Sequence, residues 1–381
     1  MFFIVIFSFS PFFGDDVFSL YFDSHGNPRA GEWVLTVNDT QEPGLSLARS
    51  LGLGAVKIRT EGSIQYIASK EGQGYIPVLS FHKLGVNNEF ELTKERFEDL
   101  LIYLQVNGFH VISDKQYFSE DYTHAVNGKK LIVMGSDDGS TGVFYYKTEN
   151  DVKTGNFIMD HGQYIISHNS MVYFLNKHLP REEGRGNFTF YITFDAIPFR
   201  QTGGGGNPGP PYTSMFALLS KLNYLEKNYY IGNHTANHLY TEELQESEFI
   251  EEVKGFYDIM ESYGIKVSDI STLAFPFGIG DITAERENTV KEFRYKGIEL
   301  AGAFDYDGFF SYPISSGKVN PYDVSRIGVD NKSYGKIMTL LENTYIFRSR
   351  RIVLFDSVDY PFDLSLMDID KNDSNYILIR N

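Results

Sequence analysis

There is no cysteine among the 381 residues. Disulfide frameworks, thiolate metal sites and cysteine nucleophiles are therefore excluded, and any metal must be held by histidine, aspartate or glutamate. Basic residues are also scarce: 34 Lys and Arg stand against 50 Asp and Glu, a formal charge of −16 with no basic cluster. That balance excludes a nucleic-acid partner, because neutralising phosphates needs clustered Lys and Arg. Long apolar runs are missing too. The first thirteen residues, MFFIVIFSFSPFF, are too few to span a bilayer and lack the basic start and small-residue cleavage site of a complete signal peptide. Residues 1–16 are expected to be a truncated signal sequence, a buried first strand being the alternative, and no integral membrane span is expected anywhere. Only nine histidines occur, and none follows His238.

What is present suits a folded chain, since 42% of the residues are hydrophobic and 22% charged. Residues 17–74 read as a small β-rich appendage, with strand-like pieces at 33–37 and 55–58 between turn-rich stretches. From YIPVL at 75–79 onward, short apolar runs alternate with amphipathic helices, the pattern of parallel βα units. Thr93 caps a helix to about Asn107 with Phe97, Leu100, Leu101 and Leu104 on one face and Gly108 ending it. Strands are expected at 131–134, 188–194, 229–231 and 273–275, and a long helix at 242–263. The main domain is taken as residues 75–345 and a C-terminal extension as 346–381. The stretch GGGGNPGPP at 203–211 is irregular and follows a strand, which suits a loop on the rim of a site.

Two motifs carry chemistry. Asp137-Asp138-Gly139 follows the strand LIVM, where an α/β barrel places its active site. One carboxylate there can ligate a cation while the other, kept ionised by that charge, accepts a proton; the plain alternative is a solvated turn. His234 and His238 lie in GNHTANH after another strand, and four-residue spacing on a first helical turn would aim both imidazoles at one point. Asn233 and Thr235 can cap or orient them. Together the motifs specify a two-histidine, one-aspartate site with open coordination positions, which is how a hydrolytic metal site is built. Zinc is the default divalent metal, although cobalt, nickel, manganese or iron would accept the same ligands.

On these residues the sequence resembles the polysaccharide deacetylases with the NodB homology domain, carbohydrate esterase family four, over about residues 75–329. The family's first motif appears as Ser136-Asp137-Asp138-Gly139 and its second, His-Ser/Thr-x-x-x-His, as His234-Thr235-Ala236-Asn237-His238. The resemblance implies a distorted parallel (β/α) barrel of about seven strands. It further implies Asp137 as general base, Asp138, His234 and His238 as metal ligands, and an N-acetylated glycan as substrate. Ala274-Phe275-Pro276-Phe277-Gly278 is similar to the third motif, in which the N–H after the proline, here that of Phe277, helps hold the oxyanion. A secreted or cell-envelope location would follow.

Three departures stand out. The arginine that often precedes the third-motif proline and orients the base is absent, Leu273, Ala274 and Phe275 filling the stretch. The late histidine motif is missing. In its place residues 321–327 (PYDVSRI) resemble the ending of poly-N-acetylglucosamine deacetylases, relatives that use a histidine after a Pro-Val-Leu strand as the acid. Pro77-Val78-Leu79-Ser80-Phe81-His82 matches that pattern and makes His82 the candidate acid, although a lone histidine after a strand is ordinarily structural. Residues 140–187 exceed the spacing of the family and read as an insertion beside the site, with His161, His168 and His178 structural or solvated. Asp195, Asp305 and Asp307 follow strand-like runs and line either the pocket or turns. Two rival readings remain: a non-catalytic glycan-binding protein on the same scaffold, and a deacetylase of a small amide or ester.

Overall fold

The computed structural model describes residues 56–61, 64–69, 75–85, 91–120, 130–140, 142–148, 157–182, 184–196, 198–199, 215–314, 319–342, 351–355 and 376–378. The expected signal sequence, the strand at 33–37 and the loop at 203–211 lie outside the described residues. Eight strands form the main sheet: β1 (Val78–Phe81), β2 (Phe109–Ile112), β3 (Lys130–Ser136), β4 (Thr189–Ile192), β5 (Tyr230–Asn233), β6 (Thr272–Ala274), β7 (Gly302–Phe304) and β8 (Ile327–Gly328). Their order is β7-β6-β5-β4-β3-β1-β8, with β2 also paired to β3, and every pair is parallel. A parallel bridge between Phe304 and Val324 joins β7 to the segment that runs into β8. The sheet thereby curls round as a distorted barrel.

The strands read as unbroken apolar runs because both of their faces are buried. Val78, Leu131, Val133, Tyr191, Ala274 and Phe304 share one apolar cluster, with Ile76, Ile112, Tyr117 and Val324. The alternate residues Leu79, Phe81, Ile132, Met134, Phe190, Ile192, Leu273 and Ala303 belong to the other, together with the helices. The period of two thus sorts each strand between an inner core and an outer layer. Inside, the Tyr191 ring lies where a Cβ at Gly232 would sit only 2.2 Å from it, so glycine is required in β5.

Helix α1 (Lys94–Val106) begins at Thr93, whose hydroxyl accepts the Arg96 N–H, and buries the four predicted apolar residues. The remaining helices are α2 (Asp114–Ser119), α3 (Met171–His178), α4 (Met215–Asn228), α5 (Glu246–Ser262), α6 (Ala284–Glu292) and α7 (Tyr334–Leu341). The helix expected over 242–263 is divided. Residues Thr241–Glu243 make a short 3₁₀ turn, and α5 starts afresh behind a capping box of Gln245 and Glu248. The Arg286 guanidinium, stacked on Phe249, takes the carbonyls of Thr241 and Leu244 that a continuous helix would have used.

Part of the stretch expected to be inserted, 140–187, is not extra. Helix α3 packs on α1 between β3 and β4, the place of an ordinary crossover helix. Earlier in the same stretch a hairpin pairs Met159 with Tyr164, and the rings of Phe144, Tyr146, Phe157 and Tyr164 pack together. A second sheet draws on both flanks of the barrel: Val56–Glu61 and Ile64–Ser69 pair antiparallel, Arg351–Phe355 adds to the latter, and Tyr376–Leu378 follows in parallel.

Candidate metal centre

Asp137 closes β3 with its N–H on the Phe81 carbonyl at 2.8 Å. Its side chain is buried and doubly held. Oδ2 accepts the Ser80 hydroxyl at 3.1 Å, and Oδ1 accepts Arg326 Nη1 at 2.8 Å. Arg326 is itself buried, donates Nε–H to the Asp305 carbonyl at 2.8 Å and lies over the Tyr191 ring. Burial alone would raise the Asp137 carboxyl, but Arg326, with His234 and His82 behind it, holds it below the usual carboxylate range. Arg326 thus holds Asp137 in the way the resemblance implies for the absent third-motif arginine, and the sequence reading left it without a role. Arg326 stands 189 residues from its partner, and no local signal joins them.

Asp138 and Gly139 both lie in the left-handed region, each at φ +66. Aspartate tolerates that conformation better than most residues, because its short polar chain can bond locally. Here Ser140 Oγ donates to Asp138 Oδ2 at 3.1 Å. Oδ1 faces Nε2 of His234 at 3.3 Å and Nε2 of His238 at 3.1 Å. Burial would raise this carboxyl as well, yet the two imidazoles hold it far below the ordinary range.

The histidines are not on a helical turn. Thr235 and His238 have φ of +61 and +53, and the segment is an irregular loop. Side chains have taken over the backbone bonding. Asn233 Oδ1 accepts the Thr235 N–H at 2.8 Å, and Thr235 Oγ1 accepts the His238 N–H at 3.2 Å, the local bonds that compete with a helix. Helix α5 anchors the loop. Glu252 takes both the N–H and the side-chain amide of Asn237, the Glu252 carbonyl takes the Ala236 N–H, and Asn233 Nδ2 donates to Val253. His234 Nδ1 sits 2.7 Å from the Ala274 carbonyl, which can only accept, so Nδ1 is a donor and the neutral ring is the tautomer that would leave Nε2 to a metal. That is the usual way a ligand tautomer is fixed.

The donor set fits a divalent cation. The ligand atoms of Asp138, His234 and His238 lie within 4.8 Å of one another. Two nitrogens and an oxygen at about 2.0–2.1 Å from a shared ion would stand about 3.0–3.4 Å apart. The two measured Asp138–histidine separations, 3.1 and 3.3 Å, fall in that window.

Around this triad stand the other predicted residues. His82 Nε2 is 3.8 Å from Asp137 Oδ2, and the ring meets Tyr306 edge-on. Phe277 occupies the third position of a Phe275–Gly278 turn closed by Gly278 N–H on the Phe275 carbonyl. Proline second and φ +63 third make this a type II turn, whose third position ordinarily belongs to glycine. Its ring is 4.5 Å from that of His238 and stacks on Tyr240 at 3.9 Å, and its N–H has no acceptor among the described residues. Tyr306 was not foreseen. Its hydroxyl fills the space where a Cβ at Gly328 would lie, and burial with the charge of Asp137 pushes its phenol up to about 12.

The remaining acids and histidines stay out of the triad. Asp305 is buried and accepts the Ile279 N–H at 2.6 Å, while Asp307 accepts Ser325. His161 is exposed beside Asp160, His178 bonds Glu98, and His168 packs on Tyr173; none joins the triad.

No protein-family model and no curated protein matches the chain. Solved structures do. The Streptococcus pyogenes deacetylase PplD, in complex with acetate, is 12% identical over 71% of this chain and 100% of its own, with a TM-score of 0.47. IcaB from Ammonifex degensii is 15% identical over 72% and 99%, at 0.46. A de-N-acetylase from Aggregatibacter actinomycetemcomitans is 14% identical over 69% and 98%, at 0.40. The chain spans nearly the whole of each of these structures.

Proposed function

We propose that this chain is a polysaccharide deacetylase, a hydrolase that removes acetyl groups from the N-acetylated sugars of a glycan with a divalent cation, zinc by default, held by Asp138, His234 and His238. The observation that carries the reading is the convergence of those three ligand atoms beside a buried, ion-paired second carboxylate, Asp137. A divalent cation held there supplies Lewis acidity toward the acetyl carbonyl and acidifies water at neutral pH.

The chain's own groups do the rest. Asp137 Oδ1 is committed to Arg326, which leaves Oδ2, on the side of Ser80 and His82, to receive the proton of the attacking water. The Phe277 N–H donates to the carbonyl oxygen as negative charge grows on it. His82 gives a proton to the leaving amine nitrogen, without which the amine departs poorly. The Tyr306 ring, edge-on to His82, limits how the imidazole can turn. Against the rival of a non-catalytic glycan-binding protein stands Arg326, which holds Asp137 although the third-motif arginine is absent. Work on a glycan also suits a secreted or envelope location, and no described helix is long and apolar enough to cross a membrane.

The test is acetate release from a panel of N-acetylated glycans, and from short amides and esters, using metal-stripped and zinc-reconstituted protein. Metal-dependent release from the glycans is expected. Release from small substrates alone would give the reaction to the rival class, and metal-free protein that neither binds zinc nor releases acetate on reconstitution would end the proposal.

A further inference from the structure

Lys221 occupies an unusual place for a lysine. It lies on the buried face of α4 among Ala217, Leu218, Leu222 and Leu225, with 1% of its surface exposed. Burying an amine in apolar surroundings is costly, and burial lowers this one from its ordinary value to about 7. Among the described residues its Nζ makes one hydrogen bond, 2.9 Å to the carbonyl of Phe199, and is flanked by the rings of Phe144 and Tyr146 at 5.8 and 5.3 Å.

Phe199 is the next link. It is fully buried, has φ +55, a strained value for an aromatic residue, and donates its N–H to the Gly139 carbonyl at 2.5 Å. Pro198 and the Phe199 ring pack on Gly139 itself, at 3.0 and 3.5 Å from where a Cβ would be. Gly139 is the second of the two left-handed residues in the turn that presents Asp138. On its other side this turn is tied to β1 through Asp137 N–H and Phe81. The Lys221–Phe199–Gly139 chain is the brace opposite.

We infer that Lys221 is a positioning residue for the metal centre: by fixing the Phe199 backbone it sets the Asp138–Gly139 turn and so the place of the Asp138 carboxylate against His234 and His238. The inference rests on the proposed reading of that triad as a metal site. A lysine that only satisfied a buried carbonyl would affect stability and nothing else; a brace affects ligand geometry.

The full chain with Lys221→Met separates the two. Titration calorimetry with zinc is expected to show affinity weakened about 10- to 100-fold, the range for groups that orient ligands. The metal-free Tm should stay equal or rise, since the buried amine is gone. Turnover should fall with KM little changed, and Lys221→Arg, which retains a donor at that carbonyl, should recover part of the affinity. Should the methionine variant not fold, Lys221→Gln, too short to reach the carbonyl, is expected to show the same loss of affinity. Wild-type affinity and turnover in a folded Met or Gln variant would overturn the inference. Wild-type protein that binds no zinc would instead overturn the reading of the triad.

Discussion

The two oxygens of Asp137 have different partners, and the difference makes its role testable one residue at a time. Asp137→Asn should keep zinc, because none of the triad atoms is touched, and lose about 10²- to 10⁴-fold in turnover, because an amide cannot take up the proton. Zinc affinity by calorimetry and acetate release on the same sample check both halves; turnover near wild type would remove the assignment. His82→Ala should likewise retain zinc and lower turnover roughly a hundredfold, with the alkaline limb of the pH–rate profile altered. An unchanged profile would mean that another group protonates the amine. At this scale the sequence brought out Asp138, His234 and His238, whose ligand atoms converge, and their neighbour Asp137, because each lies in a local motif. Arg326 and Tyr306 were hidden for a physical reason: their partners, Asp137 and the space over Gly328, are set by how the barrel closes and not by neighbours in the chain.

Among the elements, the His234–His238 loop depends on a helix that contributes no ligand. Glu252 of α5 holds Asn237 by two bonds of 2.9 and 2.8 Å and is nearly buried. Glu252→Ala should leave α5 helical, since Val253, Phe256, Tyr257 and Met260 still anchor its apolar face. It should weaken zinc binding about tenfold or more by loosening the loop. Circular dichroism and calorimetry on one preparation decide this, and an unaltered dissociation constant would show that the loop holds its shape without α5. Helix α1 was legible almost to the residue because cap, apolar stripe and glycine stop agree. The histidine loop was misread as a helical turn because spacing of four suits a helix, while Asn233 and Thr235 offer the backbone a competing set of bonds.

For the molecule as a whole, the succession of apolar runs and amphipathic helices was visible in the sequence, and it carries the barrel. The second sheet was not, since residues 56–69 and 351–355 are far apart in sequence and pair only once the chain has folded. Lys221 gives the fold a pH signature. Its folded-state value of about 7 lies below the ordinary 10.5 that the unfolded chain would show. Between those values the unfolded chain holds a proton that the folded one lacks, so stability rises with pH across the window and is lost as pH falls toward 7. Below about 7 both states are protonated and the loss is complete. Denaturation of metal-free wild type against Lys221→Met should therefore show the gap widening as pH is lowered from 10 to 7, by at most about 1.4 kcal/mol per pH unit, and then levelling off. Parallel curves would show that the amine is not neutral in the folded chain.

Arg326 lies between Val324, which bridges to Phe304, and β8, which pairs with β1. The guanidinium that pairs with Asp137 thus arrives on the last stretch of the ring to be synthesised. Until that stretch docks, Asp137 lacks its guanidinium partner, and a chain ending before it would carry every residue of the triad without the strongest of the charges that keep their neighbour ionised. On the proposed function, competence for hydrolysis is in this way withheld from the nascent polypeptide and conferred by β8, the last strand of the main sheet, so that an active molecule is one whose circle has already been closed.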